Sequence, residues 1–498
     1  LEEVIKIKKD FYSAHRSLSE IIKYDQENSH LNSLDEIYRD DNIKKEKKTE
    51  IIFALGKAFN DKKNFSKAFS YYKEANDLRK KQVSFSKDKI NKEFSNIKKL
   101  FNMNFVNQMK PVSFIIPSRN NLSYLKMCYN SIRKNAGYIH EICFADDAST
   151  DGTWEWLQEI GEKDNLVKYY RNPGPEREGL TILYDDLVEN VATTDRLFFF
   201  HSDMYLMPGA MEQIDKYLEE GVVVSLTRVE PPLHPSGPEK IVMDFGIEPE
   251  ELKEQELLDW YNRYKPQQET TEGVFAPWAI TRKDFESVGG HDPLFRPQSK
   301  EDSDIFNRIQ LNGGKFVQTW KGLVYHMTCR GSRFNPMAGG GVGKDSPEWI
   351  HTTTKNMREF IRKWGTMVQH DQFMKPIVSP VYSIGFELTK SAPIDMIRLL
   401  EPYCQYMVVP AREELLQYIE EEQPNTDYQL DKKLHTDIPN NPIYDIKVVF
   451  DPTKFTQQSF DILQKLPDII KDSGSEGDRF ELDIFDIWIE QMVEHQED

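Results

Sequence analysis

The 498-residue sequence predicts an α/β protein: a strand-and-helix core between an all-α N-terminal region and a small α+β C-terminal module. Three observations carry this. Residues 1–105 contain no proline, and their apolar side chains recur every three or four positions, as one helix face requires. From 112 to 226, short β-branched and aromatic runs alternate with amphipathic stretches, the pattern of an open parallel sheet covered by helices on both faces. Beyond 371 the alternation resumes around a Pro/Asn-rich break at 438–442. The expected domains are 1–105, 106–370 and 371–498, and the length alone exceeds one compact core.

Composition narrows the function. The net charge is −18, with about +6 in residues 1–100 and −14 in residues 411–498. An acidic chain gains nothing from counterion release, so nucleic acid is not an expected partner. No run approaches the ~18 apolar residues of a membrane helix, and the opening LEEVIKIKKDFY has no leader pattern. Cys128, Cys143, Cys329 and Cys404 are scattered without metal spacing, which fits a reducing compartment. A cytoplasmic protein is expected, with a basic N-terminal segment able to touch an acidic partner or a membrane periphery.

In the N-terminal region, Ile52, Leu55, Gly56, Phe59, Phe65, Ala68, Tyr72 and Ala75 follow the spacing of a tetratricopeptide repeat, a helical hairpin whose small residues permit close approach. Lys80 stands where the repeat's usual proline would be. One repeat cannot bury a continuous core, so it should dock on neighbouring helices, a protein partner or a second copy.

The core elements follow in order. Strands are expected at 112–117, 141–145, 166–170, 197–200 and 222–226, with helices at 123–134, 154–160, 180–191 and 208–220 between them. In such sheets ligands bind beyond the C-terminal strand ends. Those ends carry Ser118-Arg119-Asn120, Asp146-Asp147 and His201-Ser202-Asp203. Between 228 and 240 lies a Pro-rich insertion. In the C-terminal module, strands at 382–388, 405–409, 446–450 and 480–489 and helices at 393–403 and 456–470 suggest a ferredoxin-like βαβ pair with an inserted acidic helix.

Four blocks then stand in order: Ser113-Phe-Ile-Ile-Pro-Ser-Arg-Asn-Asn-Leu122; Asp146-Asp-Ala-Ser-Thr-Asp-Gly-Thr153; His201-Ser-Asp-Met-Tyr-Leu-Met-Pro-Gly209; and Val288-Gly-Gly-His-Asp292 with Glu301-Asp-Ser-Asp304 and Val324-Tyr-His326. Together they resemble the family 2 glycosyltransferases, whose core has the GT-A nucleotide-sugar-binding fold. The resemblance runs from about Val112 to Phe334. It implies an inverting, metal-dependent transferase of hexosyl or N-acetylhexosaminyl type. Its donor would be a nucleotide-diphospho-sugar, and its acceptor a hydroxyl of a glycan, glycoprotein or surface polysaccharide.

The resemblance also assigns roles. Asp147, with Asp146 beside it, would hold base or ribose, since carboxylates accept imide and hydroxyl hydrogens; Pro117 and Arg119 would line that pocket. Asp203 would ligate Mn²⁺ or Mg²⁺, with His326 as a second ligand; many relatives carry Asp where this chain has His201. Ser202 belongs to the same nucleotide-sugar site, the Pro-rich insertion at 228–240 would lie where acceptor loops emerge in this fold, and Trp260, Tyr261 and Trp278 would offer stacking surfaces for sugar rings. Asp302 matches the general base that deprotonates the acceptor, Glu301 would position the acceptor, and Asp304 is the runner-up base. Arg330 and Arg333, flanking a Gly-rich segment at 339–344, would close over the diphosphate. Two other classes remain open at this point: a silent sugar-binding protein on a degenerate core, and a nucleotidyltransferase, for which Ser118-Arg119-Asn120-Asn121 lacks a Gly-rich phosphate loop.

Overall fold

The computed structural model describes residues 1–24, 28–82, 110–234, 236–328, 333–334, 336, 339–438 and 444–495. The chain forms two compact units, Leu1–Gln108 and Met109–Asp498.

In the first unit, helices Thr49–Asp61 and Phe65–Gln82 form the expected hairpin. A Cβ on Gly56 would lie 2.7 Å from the ring of Tyr72, so the close approach needs glycine. Helices Tyr12–Ile21 and Ser29–Arg39 pack on the first arm through Leu34, Ile51, Leu55 and Ala58. The expected helix beyond 82 lies outside the described residues.

The second unit is built on two sheets. The strands of the first are β1 Ser113–Ser118, β2 Glu141–Asp147, β3 Val167–Asn172, β4 Arg196–Phe199, β5 Met204–Leu206, β6 Val222–Glu230, β7 Lys240–Val242, β8 Thr270–Thr271, β9 Trp278–Thr281 and β10 Lys315–His326. Their order is β3-β2-β1-β4-β9-β6-β10-β5, with β7 on β6 and β8 on β10. Each strand and helix expected between 112 and 226 is present within a few residues. The sheet is mixed rather than wholly parallel: β9 runs antiparallel to β4 and β6, and β5 antiparallel to β10.

Strand alternation sets the two faces. Phe114, Ile116, Phe144, Phe198 and Phe200 meet Leu125, Ile132, Leu157 and Ile214 on one side. Ile115, Cys143, Leu197 and Phe199 meet Leu183, Leu187, Phe285 and Ile309 on the other. Both faces are apolar, so these strands read as continuous hydrophobic runs. Trp278 is 1% exposed and stacks on Phe199 at 4.2 Å between ring centroids, as core packing rather than an open sugar platform. Trp260 likewise packs against Phe245 and Tyr264, and none of the three aromatics Trp260, Tyr261 and Trp278 lies on the wall of the cavity described below.

The second sheet holds β11 Ile384–Leu388, β12 Tyr406–Val408, β13 Leu434–His435, β14 Ile446–Phe450, β15 Arg479–Leu482 and β16 Phe485–Ile489, in the order β13-β12-β11-β14-β16-β15. Its first four strands are parallel, so the module is a wound α/β sheet and not ferredoxin-like. The single strand expected at 480–489 is a hairpin, turned at Asp483 with φ +53°. The module joins the core through helix Pro347–Trp364, whose fully buried Arg362 binds Glu359, Glu401 and Glu422.

Candidate active site

A cavity of about 460 Å³ opens beyond the C-terminal ends of β1, β2, β4 and β6. On one side stand Pro117 and Ser118 ending β1, Arg119 after it, Asp147 ending β2, and Arg177. Asp147 Oδ1 accepts from Asn172 Nδ2 at 2.8 Å and the Glu178 amide at 3.0 Å, and Oδ2 accepts from the Gly179 amide at 3.0 Å. Asp147 therefore ties down the loop before helix Leu180–Asn190 as well as facing the cavity. That loop needs its glycine: at φ +87°, a Cβ on Gly179 would sit 2.2 Å from Pro297 O. Asp146 is not on the cavity wall. It is fully buried, accepts the Ser149 amide at 3.1 Å and pairs with Arg171, a turn brace rather than a ligand position.

The turn from β4 to β5 carries His201, Ser202 and Asp203, all on the cavity wall. Antiparallel pairing of β5 with β10 sets Met204 opposite His326, which brings Asp203 beside that imidazole. His201, Asp203 and His326 each offer one ligand atom within 4.8 Å of the others. Asp203 Oδ1 and His326 Nε2 are 3.3 Å apart. Two ligand atoms each ~2.1 Å from one cation sit about 3.0–3.4 Å apart, so the spacing fits a shared ion. Two imidazoles and a carboxylate suit Mn²⁺. Although Asp203 is buried, the imidazoles of His326 and His201 hold its carboxyl down at about 2. Burial works against the charged form of His326, but Asp203 and Glu230 outweigh it and raise the ring to about 9.

Opposite the loop, helix Glu301–Leu311 starts from Lys300 in a left-handed conformation, φ +80°, directly after Ser299 at φ +81°. Two such non-glycine residues in a row are strained backbone, and they aim the helix start into the cavity. Asp302 lies on the wall with no hydrogen bond or ion pair to any described residue. Glu301 is buried, its Oε2 has no partner, and burial, then the neighbouring Asp302, push its pKa up. Asp304 points the other way. It is fully buried, taking the Trp364 indole N–H at 3.0 Å, Lys363 at 2.9 Å and Arg308 at 2.7 Å, so the runner-up base is a packing residue.

Arg333 reaches the wall and pairs with Asp345 at 2.5 Å, near His234 at 3.3 Å. Arg330 lies outside the described residues. Among the wall residues that sequence reasoning missed are Arg177, Tyr184, Lys300 and Glu230. Arg177 bonds Gln298 at 2.6 Å and Glu348 at 3.0 Å. Tyr184 is 3% exposed, and its hydroxyl bonds no described residue. Arg177 and Glu230 meet Glu348 and His326 from far off in sequence, so no local pattern marks them.

Carboxylates and imidazoles gathered beyond strand ends stand where an α/β sheet binds its ligand, and they are groups able to ligate a divalent cation. Residues 113–287 match the family model described as Glycosyl transferase family 2. Abequosyltransferase RfbV of Salmonella typhimurium is 32% identical over 114 residues, 22% of this chain. The match spans about a third of that curated relative, 32% of its length. Among solved structures, the chain is loosely similar to GalNAc-T7 with UDP, GalNAc and Mn²⁺ (TM-score 0.37, 19% identity, 51% of this chain and 48% of that one). Mannosyltransferase PcManGT from Pyrobaculum calidifontis, in complex with GDP-Man and Mn²⁺, gives a TM-score of 0.33 at 16% identity over 45% of this chain and 58% of that one. No helix among the described residues is long and apolar enough to cross a membrane.

Proposed function

We propose that the protein is an inverting, metal-dependent glycosyltransferase. It would move a hexosyl or N-acetylhexosaminyl group from a nucleotide-diphospho-sugar to a hydroxyl of a glycan, glycoprotein or surface polysaccharide. One observation carries the reading: a single cavity holds Asp302, a carboxylate unpaired among the described residues, together with the His201–Asp203–His326 cluster. The family match over 113–287 supports it.

In this reading Pro117, Arg119 and Asp147 flank the nucleotide, and Ser202 faces the diphosphate. Asp203 and His326, with His201, would hold Mn²⁺ or Mg²⁺, which when bound neutralises the diphosphate and makes it a better leaving group. Asp302 takes the acceptor hydroxyl proton as that oxygen attacks the anomeric carbon from the face opposite the diphosphate. Glu301, its pKa raised, keeps a proton in the same wall and orients the acceptor by donating a hydrogen bond. Arg333 adds positive charge over the cavity mouth. The helical hairpin at 49–82 acts as a tetratricopeptide-like docking unit for a partner or a second copy, and the free, buried thiols of Cys128, Cys143 and Cys404 suit the cytoplasm, with the protein peripheral to a membrane.

The test is hydrolysis and transfer with uridine, guanosine and thymidine diphospho-sugars, with Mn²⁺ and with chelator. Metal-dependent release of nucleoside diphosphate from one donor is expected. Donor binding without turnover under every condition would instead mark a silent sugar-binding protein.

A further inference from the structure

The Pro-rich segment between β6 and β7 leaves and re-enters the sheet at the cavity, and what it brings back is charge. Parallel pairing of β6 with β10 sets Val229 beside Tyr325, so Glu230, the last residue of β6, arrives beside His326. Glu230 is 1% exposed. Its Oε1 stands 2.7 Å from His326 Nδ1, the ring nitrogen facing away from Asp203. Its Oε2 accepts from Lys240 Nζ at 2.9 Å, and Arg228 Nε lies 3.2 Å from Oε1. Arg228 in turn reaches Glu239 at 3.1 Å and lies over the Phe275 ring at 3.7 Å.

We propose that Glu230 is the positioning residue of the metal cluster: by accepting the Nδ1–H of His326 it fixes the ring so that the Nε2 lone pair faces the ion shared with Asp203. This rests on the metal-assisted reading above. The physical argument is about tautomers. A neutral imidazole has one N–H and one lone pair, and the partner of one nitrogen decides what the other presents. A carboxylate accepts only, so it leaves the lone pair on Nε2 and raises that nitrogen's basicity. Arg228 and Lys240, at 3.2 and 2.9 Å from its two oxygens, hold the Glu230 carboxylate in place against the ring. The segment 231–239 thereby acquires a second role beside any contact with acceptor: it returns Lys240 to Glu230.

The experiment titrates Mn²⁺ into the full chain by calorimetry, alone and with uridine or guanosine diphosphate present, and records melting temperature in parallel. Glu230→Asp keeps the charge that Arg228 and Lys240 need but withdraws the oxygen from Nδ1 by about one C–C bond, ~1.5 Å. Glu230→Gln keeps the reach and removes the charge. Both should weaken Mn²⁺ binding 10- to 100-fold, while Glu239→Gln, which removes an equal charge without touching His326, should change it less than threefold. Folded Glu230→Asp with wild-type affinity would overturn the proposal, as would an equal loss in Glu239→Gln. If the wild-type chain binds no divalent metal under either condition, the metal reading itself fails and takes this inference with it.

Discussion

Trp364 donates its indole N–H to Asp304 at 3.0 Å, joining the last turn of helix Pro347–Trp364 to the first turn of helix Glu301–Leu311. The runner-up to the candidate base is thereby committed to packing. Lys363 and Arg308 complete its coordination, while Asp302, on the cavity side of the same turn, has no described partner.

This separates two substitutions that look alike in sequence. Asp302→Asn should lower transfer by about 10²–10⁴-fold, the usual worth of a general base, with donor affinity and melting temperature nearly unchanged. Asp304→Asn should instead destabilise, because it strands buried cations; breaking such a pair costs about 3–5 kcal/mol. Calorimetric donor affinity, single-turnover rate and melting temperature for each variant check both. A dead but stable Asp304→Asn would reverse the assignment.

Asp203→Asn removes the only carboxylate of the His201–Asp203–His326 cluster. Turnover should be lost and Mn²⁺ affinity should fall, whereas the fold should hold, since Asp203 is braced through its backbone to Met327. Full activity of this variant in excess chelator would exclude a metal-assisted reaction.

His140 predicts an acid-sensitive fold. It is 2% exposed, its Nδ1 accepts the Val112 amide at 3.2 Å, and burial depresses its pKa to about 4. The folded state therefore keeps it neutral while the unfolded chain protonates near 6.5. Its contribution is fully present above pH 6.5 and is lost as pH falls towards 4, amounting to about 2 kcal/mol by pH 5. His140→Gln should show a flatter loss of denaturation midpoint between pH 7.5 and 5 than the wild type. Parallel curves would show that His140 is not the titrating group.

Truncation should behave asymmetrically. All the cavity residues named lie in Met109–Asp498, so a chain starting at 109 should still bind nucleotide and hydrolyse donor slowly, as checked by calorimetry and nucleotide release. Ending the chain at 370 removes Glu401, Glu422 and Lys433 and strands Arg358 and Arg362 at the joint. That product should fail to fold cooperatively in a denaturant titration. Loss of nucleotide binding in a folded 109–498 chain would show that the helical unit completes the donor site.

The sequence by itself determined the local layer of this protein. The strands at 113–118, 141–147 and 196–199 and the helices between them were legible because apolar periodicity is a property of neighbouring residues. For the same reason Asp147 and Asp203 near strand ends and Asp302 at a helix start could be named from short motifs, and the structure brings them to one cavity. Only the tertiary structure decided what depends on pairing between distant segments. The antiparallel insertions of β5 and β9 turn a parallel pattern into a mixed sheet. Ladder order makes the C-terminal sheet parallel where the element order suggested a ferredoxin-like module. Trp278 reads as a sugar platform until Phe199 covers it. Asp304 and Glu230 find their partners 60 and 96 residues away. A side chain's charge and hydrogen-bond partners are fixed by what the fold packs against it, and residues so far apart in sequence meet only once the chain has closed.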